Sequence, residues 1–280
     1  MDRVAFEDAL KAYEDRFNSM MPEMEPTIRD SELGSTRCFT GKPVEMGGTD
    51  YDVEGIAGLG VSVAAETWLE ETGQSPSSAS IAVQGAGAMG AAVCRYAVEA
   101  GMTLRFLADP RLGGCWQIES EFDGALRDAV IRMDFDAVKA ELEAGPHICM
   151  DLDDVLVQAV DILFPCAAQY VIDADNVDTI NAKAVVEGAN NPCTNDARSE
   201  LYARGVTVVP DFIAANVELV SEVTNEENAK TRAKVTEAME FTRTKVSTNV
   251  RQMLALADSV GVDPVRAGLY LSYQRVFGEA

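Results

Sequence analysis

Histidine is almost missing: His147 is the one histidine among 280 residues. No histidine-centred metal constellation can be built around it, and no metal is expected. Basic residues are few. Lysine and arginine total 23 against 46 aspartates and glutamates, a net charge of −23. Such a surface repels nucleic acid and anionic membranes, which excludes both as partners. The acids are dispersed, so they describe a highly soluble or salt-adapted surface rather than an acidic recognition tail. The six cysteines, Cys38, Cys94, Cys115, Cys149, Cys166 and Cys193, have no C-x-x-C spacing. That argues for buried or loop thiols in a reducing cytosol, and hence a cytoplasmic protein, over a disulfide framework or zinc site. No run of about 18 apolar residues occurs, so no membrane-spanning helix is expected. The opening Met1-Asp2-Arg3-Val4 lacks the basic and apolar regions of a signal peptide. Internal repeats and low-complexity tracts are absent too.

What is present is a chain that is 47% hydrophobic and 25% charged, long enough for one large or two small domains with a sizeable core. One stretch organises it. The apolar run Ile81-Ala82-Val83 leads into Gly85-Ala86-Gly87-Ala88-Met89-Gly90, a Gly-x-Gly-x-x-Gly. A helix-like segment follows, with Met89, Val93, Ala97 and Val98 on one face. A second apolar run, 104–108, then closes on Asp109, 19 residues after Gly90. Strand, glycine turn, helix, strand and acid in that order are what a dinucleotide-binding βαβ unit requires. Gly85 permits the tight turn, Gly87 lets backbone approach a pyrophosphate, and Gly90 lets the helix lie close to the sheet. The N–H groups at the helix start meet phosphate charge. Asp109 is placed to accept hydrogen bonds from the adenosine ribose hydroxyls. It would repel a 2′-phosphate, which predicts NAD over NADP, with Arg111 as the feature that could reverse the preference.

In chain order, an apolar stripe of Phe6, Leu10, Tyr13, Phe17 and Met20 predicts a helix over 4–21. Residues 22–50 read as loop, from Pro22, Pro26, Pro43 and Gly47-Gly48. A helix is expected over 57–71, and helical patterns recur around 122–143. Strands are expected at 160–166, 184–187 and 206–209, with a helix at 196–204 between the last two. Two long helices follow, about 226–258 and 264–278. Alternation of strands and helices over 79–209 predicts an α/β fold, a Rossmann-type doubly wound, mostly parallel sheet with an extra N-terminal helix and long C-terminal helices. The expected domains are 1–40, an N-terminal helix and loop; 41–225, the dinucleotide-binding unit; and 226–280, C-terminal helices packed on it. The stripe of the first helix would otherwise be exposed, so a homodimer through that helix is expected.

Five blocks in order resemble the glutamate/leucine/phenylalanine/valine dehydrogenases. They are Thr40-Gly41-Lys42-Pro43-Val44-Glu45-Met46-Gly47-Gly48, Val83-Gln84-Gly85-Ala86-Gly87, Asp161-Ile162-Leu163-Phe164-Pro165-Cys166-Ala167-Ala168, Val186-Glu187-Gly188-Ala189-Asn190 and Val208-Val209-Pro210-Asp211. The resemblance implies an NAD(P)-binding unit with residues 85–90 around the pyrophosphate. It also implies that Cys166, Ala167 and Ala168 pass near the nicotinamide, and that Asn190 reaches the nicotinamide ribose. Both segments end strands on the edge that carries the glycine loop, where open α/β sheets bind ligands. In the family, the catalytic lysine and aspartate lie in a substrate domain that precedes this region, so neither is expected here. The family's Thr-Gly-x-Gly is Ala57-Gly58-Leu59-Gly60 here, and its Ala-Asn-Ala-Gly-Gly is Ala214-Ala215-Asn216-Val217-Glu218.

Replacement acid–base groups must then come from the remaining cleft, where the candidates are Asp52, Glu54, Asn216 and Glu218. Each reads equally as a solvated acid or a capping residue. Lys42 reads as part of a structural turn, and Glu187 as a conformational fixture. Two functions stay open. One is an NAD(P)-dependent oxidoreductase acting on a small amine, imine or hydroxy compound, its substrate domain supplied by another protomer, another chain or the N-terminal helix. The other is a non-catalytic NAD-binding sensor or partner subunit.

Overall fold

Ile81, Ala82 and Val83 are wholly buried, as a strand covered on both faces must be. The computed structural model describes residues 1–30, 54–215 and 232–278. Within them that run is β1 (Ser80–Gln84) of a seven-stranded sheet, joined by β2 (Thr103–Asp109), β3 (Gly114–Gln117), β4 (Ile148–Met150), β5 (Ile162–Pro165), β6 (Ala184–Val186) and β7 (Thr207–Val209). The order is β4-β3-β2-β1-β5-β6-β7. All pairings from β2 through β1, β5 and β6 to β7 are parallel. Only β3 runs against its neighbours. The fold is thus the expected α/β, Rossmann-type, mostly parallel sheet.

Helices cover both faces. On one side lie α2 (Ile56–Glu71), α3 (Ala88–Glu99) and the long α8 (Arg232–Val260), with α2 packed against both others. Beyond β2 on that side sit α4 (Gly124–Ile131) and α5 (Phe135–Ala144). Expected as one helical region, they are two helices because Met133 turns the chain at φ 54. Asp134 then restarts the helix, its carboxylate accepting from Ala137 N at 3.1 Å. The opposite face is covered by the 3₁₀ turn Leu152–Val157 and by α6 (Asn195–Ala203). The short α7 (Asp211–Ala214) follows β7, and α9 (Pro264–Phe277) closes the chain. Strands β3 and β4 had no signal in the sequence. Gly113-Gly114 reads as loop, and β4 is a three-residue edge strand with no residue buried.

The first helix, α1, runs over Arg3–Asp30, past Pro22 and Pro26, where turn composition predicts loop. A proline removes one backbone donor and bends a helix without always ending it. The rest of the expected loop, 31–50, lies outside the described residues. The stripe on α1 does not wait for a second protomer. Phe6, Leu10 and Tyr13 are each at most 3% exposed, buried against α9 of the same chain. Phe6 meets Tyr270 with ring centroids 5.1 Å apart, and Tyr13 packs against Tyr270, Tyr273 and Phe277. The Tyr13 hydroxyl donates to the Gly278 carbonyl at 2.7 Å, and Glu7 takes both arms of Arg266. Intrachain packing thus covers Phe6, Leu10 and Tyr13, while Phe17, further along the same stripe, stays 38% exposed.

Truncating Phe6 should cost about 3–5 kcal/mol, since the ring is fully buried and few neighbours can collapse into the void. Urea unfolding of Phe6→Ala against the parent chain measures it. A loss below about 1 kcal/mol would mean that α1 is not part of the cooperative fold.

Candidate active site

β2 lies on one side of β1 and β5 on the other, so the chain leaves β1 at the point where the strand order reverses. Three loops converge there. The loop after β1 carries Gly85 at φ 95, a conformation that side chains strain to adopt. A Cβ on Gly90 would stand 1.7 Å from the Gly85 carbonyl oxygen, so only glycine lets α3 start so close to the strand it leaves. The loop after β5 crosses in front, with Ala167 Cα 2.9 Å from where a Gly85 Cβ would be. Cys166 N donates to Gln84 O at 2.8 Å, pinning this loop to β1. The loop after β6 is tied to it in turn, with Gly188 N and Ala189 N both donating to Pro165 O. Cys166 Sγ and the Met89 side chain pack over Gly188. Burial pushes the Cys166 thiol up, with Cys94 adding to the rise, so Cys166 is a neutral packing group rather than a nucleophile.

These residues fit a dinucleotide. No side chain caps α3, so its first N–H groups face the loop. Among the described residues, a Cβ on Gly87 would meet only Arg111 Nη2, at 3.6 Å, which leaves the outer side of the loop open to a phosphate. Buried Gln84 Oε1, at the end of β1, has no hydrogen-bond partner among them.

The end of β2 is arranged differently from expectation. Asp109 is 3% exposed, and both its oxygens are engaged. Oδ2 accepts from Ala86 N at 2.9 Å and Arg111 Nη2 at 2.8 Å; Oδ1 accepts from Arg111 N at 2.9 Å and Arg111 Nε at 2.8 Å. The guanidinium lies over the Phe135 ring, 3.6 Å from its centroid. Asp109 thus braces the glycine loop and holds Arg111, and no free acceptor remains for ribose hydroxyls. Burial alone would raise its pKa. The bonds from Arg111 and the Ala86 amide outweigh that and hold the carboxyl below its ordinary 3.8.

Behind the β6 loop lies a buried ionic cluster. Glu187, wholly buried, accepts from Arg198 Nε at 2.9 Å and Nη2 at 2.6 Å, and from Asp211 N at 3.0 Å. Burial, with the Glu187 carboxylate close by, holds the Cys193 thiol well above its ordinary range. Asp211 reaches Asn191 N at 3.0 Å, where Asn191 sits at φ 46. The cluster sets the course of the loop that presents exposed Asn190.

A family profile, Glutamate/Leucine/Phenylalanine/Valine dehydrogenase, matches residues 47–279. The chain belongs to that family. Glutamate dehydrogenase of Thermotoga maritima is 38% identical over 176 residues, which are 62% of this chain and 41% of that one. The NADP(+)-dependent glutamate dehydrogenase of Pyrobaculum calidifontis is 36% identical over 179 residues, 63% of this chain and 41% of that one. The chain thus spans about two fifths of the length of these curated relatives. The hetero-hexameric glutamate dehydrogenase of Thermus thermophilus, solved in a leucine-bound form, superposes with a TM-score of 0.64 at 26% identity. The match covers 85% of this chain and 55% of that one.

Of the residues singled out in the sequence, the structure brings 85–90, 166–168 and Asn190 to one edge of the sheet, as the family blocks imply. Asp109 and Arg111 stand beside them at the β2 end. Glu54 precedes α2, its backbone carbonyl receiving the Tyr96 hydroxyl of α3. Asp52, Asn216 and Glu218 lie outside the described residues, as does Lys42. The family's Thr-Gly-x-Gly position, here 57–60, is helical, and Gly58 abuts Ala92 of α3. His147 directly precedes the edge strand β4, accepting from Glu119 N at 3.2 Å. Phe135, Arg198 and Asp211 were not singled out as site residues. Each is brought in from a separate element, and no local spacing marks it.

Removing Arg198 should be severe, because Glu187 would be left charged and buried. Arg198→Met is expected to lose about 3–5 kcal/mol in urea unfolding; a loss under 1 kcal/mol would deny the pair its structural role. For Asp109 the sign follows from its depressed pKa. Its contribution is full above 3.8 and disappears as pH falls through the lower folded value. Asp109→Asn should therefore melt lower than the parent at neutral pH, with the two curves converging below about pH 4. Parallel melting curves across that range would refute the assignment.

Proposed function

We propose that this chain is the nucleotide-binding half of an NAD(P)-dependent oxidoreductase of the amino acid dehydrogenase type, acting on a small amine, imine or hydroxy compound. The observation that carries the reading is the convergence of the loops at 85–90, 166–168 and 188–190 on the switch point of the sheet. Bound there, the nicotinamide would supply a hydride acceptor or donor. Residues 85–90 would hold the pyrophosphate against the start of α3. Cys166, Ala167 and Ala168 would wall the nicotinamide side, and Asn190 would reach its ribose. The five described cysteines are unpaired, which supports a cytoplasmic location.

Glutamate is the first substrate to test, because the Thermotoga maritima and Pyrobaculum calidifontis relatives carry that activity in their names. Proton transfer would fall to groups near the cleft, with Asp52, Glu54, Asn216 and Glu218 as candidates. A second reading, a non-catalytic partner subunit, draws support from the Thermus thermophilus relative, which is hetero-hexameric. Association with like or unlike chains then belongs to the proposal, with exposed Phe17 on α1 as one apolar contact it could use.

The binding step is tested by titrating the chain with reduced dinucleotide and following nicotinamide fluorescence. Gly87→Val has an ordinary φ and open space before it. It should leave the melting temperature within about 2 °C yet weaken binding at least tenfold, about 1.4 kcal/mol. Equal affinity of parent and variant would remove the loop from the site. The catalytic step is followed by nicotinamide absorbance with glutamate, leucine, phenylalanine and valine. Removing a general acid–base group from the cleft should lower the rate about 10²–10⁴-fold from a typical value of roughly 10 s⁻¹. Turnover near 10 s⁻¹ would show that the chain's own cleft supplies such a group, and alanine variants of the four candidates would say which.

A further inference from the structure

The structure assigns to Arg111 the selection of a 2′-phosphate, and with it a preference for NADP over NAD. This rests on reading residues 85–90 as the pyrophosphate loop. An acid at the end of β2 selects the unphosphorylated ribose by accepting its hydroxyl protons. Asp109 cannot do that as it stands. A carboxylate offers about four lone-pair positions, and here Ala86 N, Arg111 N, Arg111 Nε and Arg111 Nη2 occupy four. Ribose hydroxyls would have to displace a two-armed, charge-assisted pair from a carboxylate that is almost wholly buried. The negative charge expected to repel a 2′-phosphate is neutralised at contact distance.

What this turn presents to solvent is a donor surface. Arg111 has five N–H groups, and the bonds to Asp109 use Nε and one from Nη2. Among the described residues the remaining three have no hydrogen-bond partner and can meet phosphate oxygens, and the side chain is 53% exposed. Its pose is fixed on two sides, by Asp109 along one edge and by Phe135 beneath one face. A guanidinium so held gives up little rotamer freedom when it binds an anion. Its Nη2 stands beside Gly87, so it neighbours the loop assigned to the pyrophosphate. A second cation flanks the same turn, with Lys139 Nζ 4.0 Å from where a Gly113 Cβ would be. Lys139 is only loosely paired, to Glu143 at 3.9 Å. One cation on this turn and a second beside it, from α5, run against the net charge of −23.

Calorimetric titration of the full chain with NADP⁺ and with NAD⁺ tests this, with a thermal shift under each ligand as a second readout. NADP⁺ should bind at least about tenfold tighter than NAD⁺, as expected for charge-assisted bonds to one phosphate. Arg111→Ala should abolish that difference by weakening NADP⁺ alone, while NAD⁺ affinity holds or rises as Asp109 is released. Arg111→Lys keeps the charge without the fork and should retain part of the preference. Tighter or equal binding of NAD⁺ by the parent chain would overturn the inference and leave the nucleotide-binding reading intact. So would an equal loss for both ligands in Arg111→Ala. Failure of both ligands to bind the parent would overturn that reading, and this inference with it.

Discussion

The rest of the molecule hangs on the contact between the Gly85 carbonyl and Gly90. With no atom beyond Cα at position 90, α3 begins within van der Waals reach of the strand it leaves. That places the helix start, and its uncapped N–H groups, directly over the C-terminal edge of β1. The same closeness sets where the loop after β5 can pass, since Ala167 rests against Gly85. Three loops from distant parts of the chain are thereby held to one another through backbone. A larger residue at 90 would move the helix, and both neighbouring loops would lose what they pack against.

A second constraint is how a chain with twice as many acids as basic residues spends its arginines. At the working edge of the sheet, two arginines fix two acids in place: Arg111 with Asp109, and Arg198 with Glu187. A third acid, Asp211, stands near Arg198 at 3.6 Å. Both pairs are two-armed, and both acids also accept backbone N–H groups. Each therefore orders a loop as well as neutralising a charge. At the opposite edge, Asp161 plays a similar part, receiving Ser80 N, Ser80 Oγ and Lys183 Nζ at 2.7 Å each. That cluster joins the starts of β1, β5 and β6 and takes no part in the loops above. Ionic groups that order loops and ionic groups that join strand starts thus occupy opposite ends of the sheet.

Much of the fold was legible because its signals are local. The run 81–83, the spacing of Gly85, Gly87 and Gly90, and the alternation of strands and helices to Val209 each express a backbone rule within a few residues. Those rules placed β1, β2, β5, β6, β7 and the helices between them. β3 and β4 escaped because strands of four and three residues are too short to show a period, β4 is exposed at the edge, and Gly113-Gly114 carries the signature of a loop.

The sequence by itself determined the family, the parallel sheet and the glycine loop, since each depends on residue types at fixed separations along the chain. Only the tertiary structure decided what the charged and aromatic side chains do. Asp109 was read as an open acceptor; it is closed by Arg111, whose orientation depends on Phe135, 24 residues further on. The stripe of Phe6, Leu10, Tyr13, Phe17 and Met20 reads as an interface; α9, more than 250 residues away, covers its first three residues within the chain and leaves Phe17 exposed. A hydrophobic or hydrogen-bonding side chain declares in sequence that it needs a partner. Which partner it finds depends on long-range packing, which no spacing along the chain encodes.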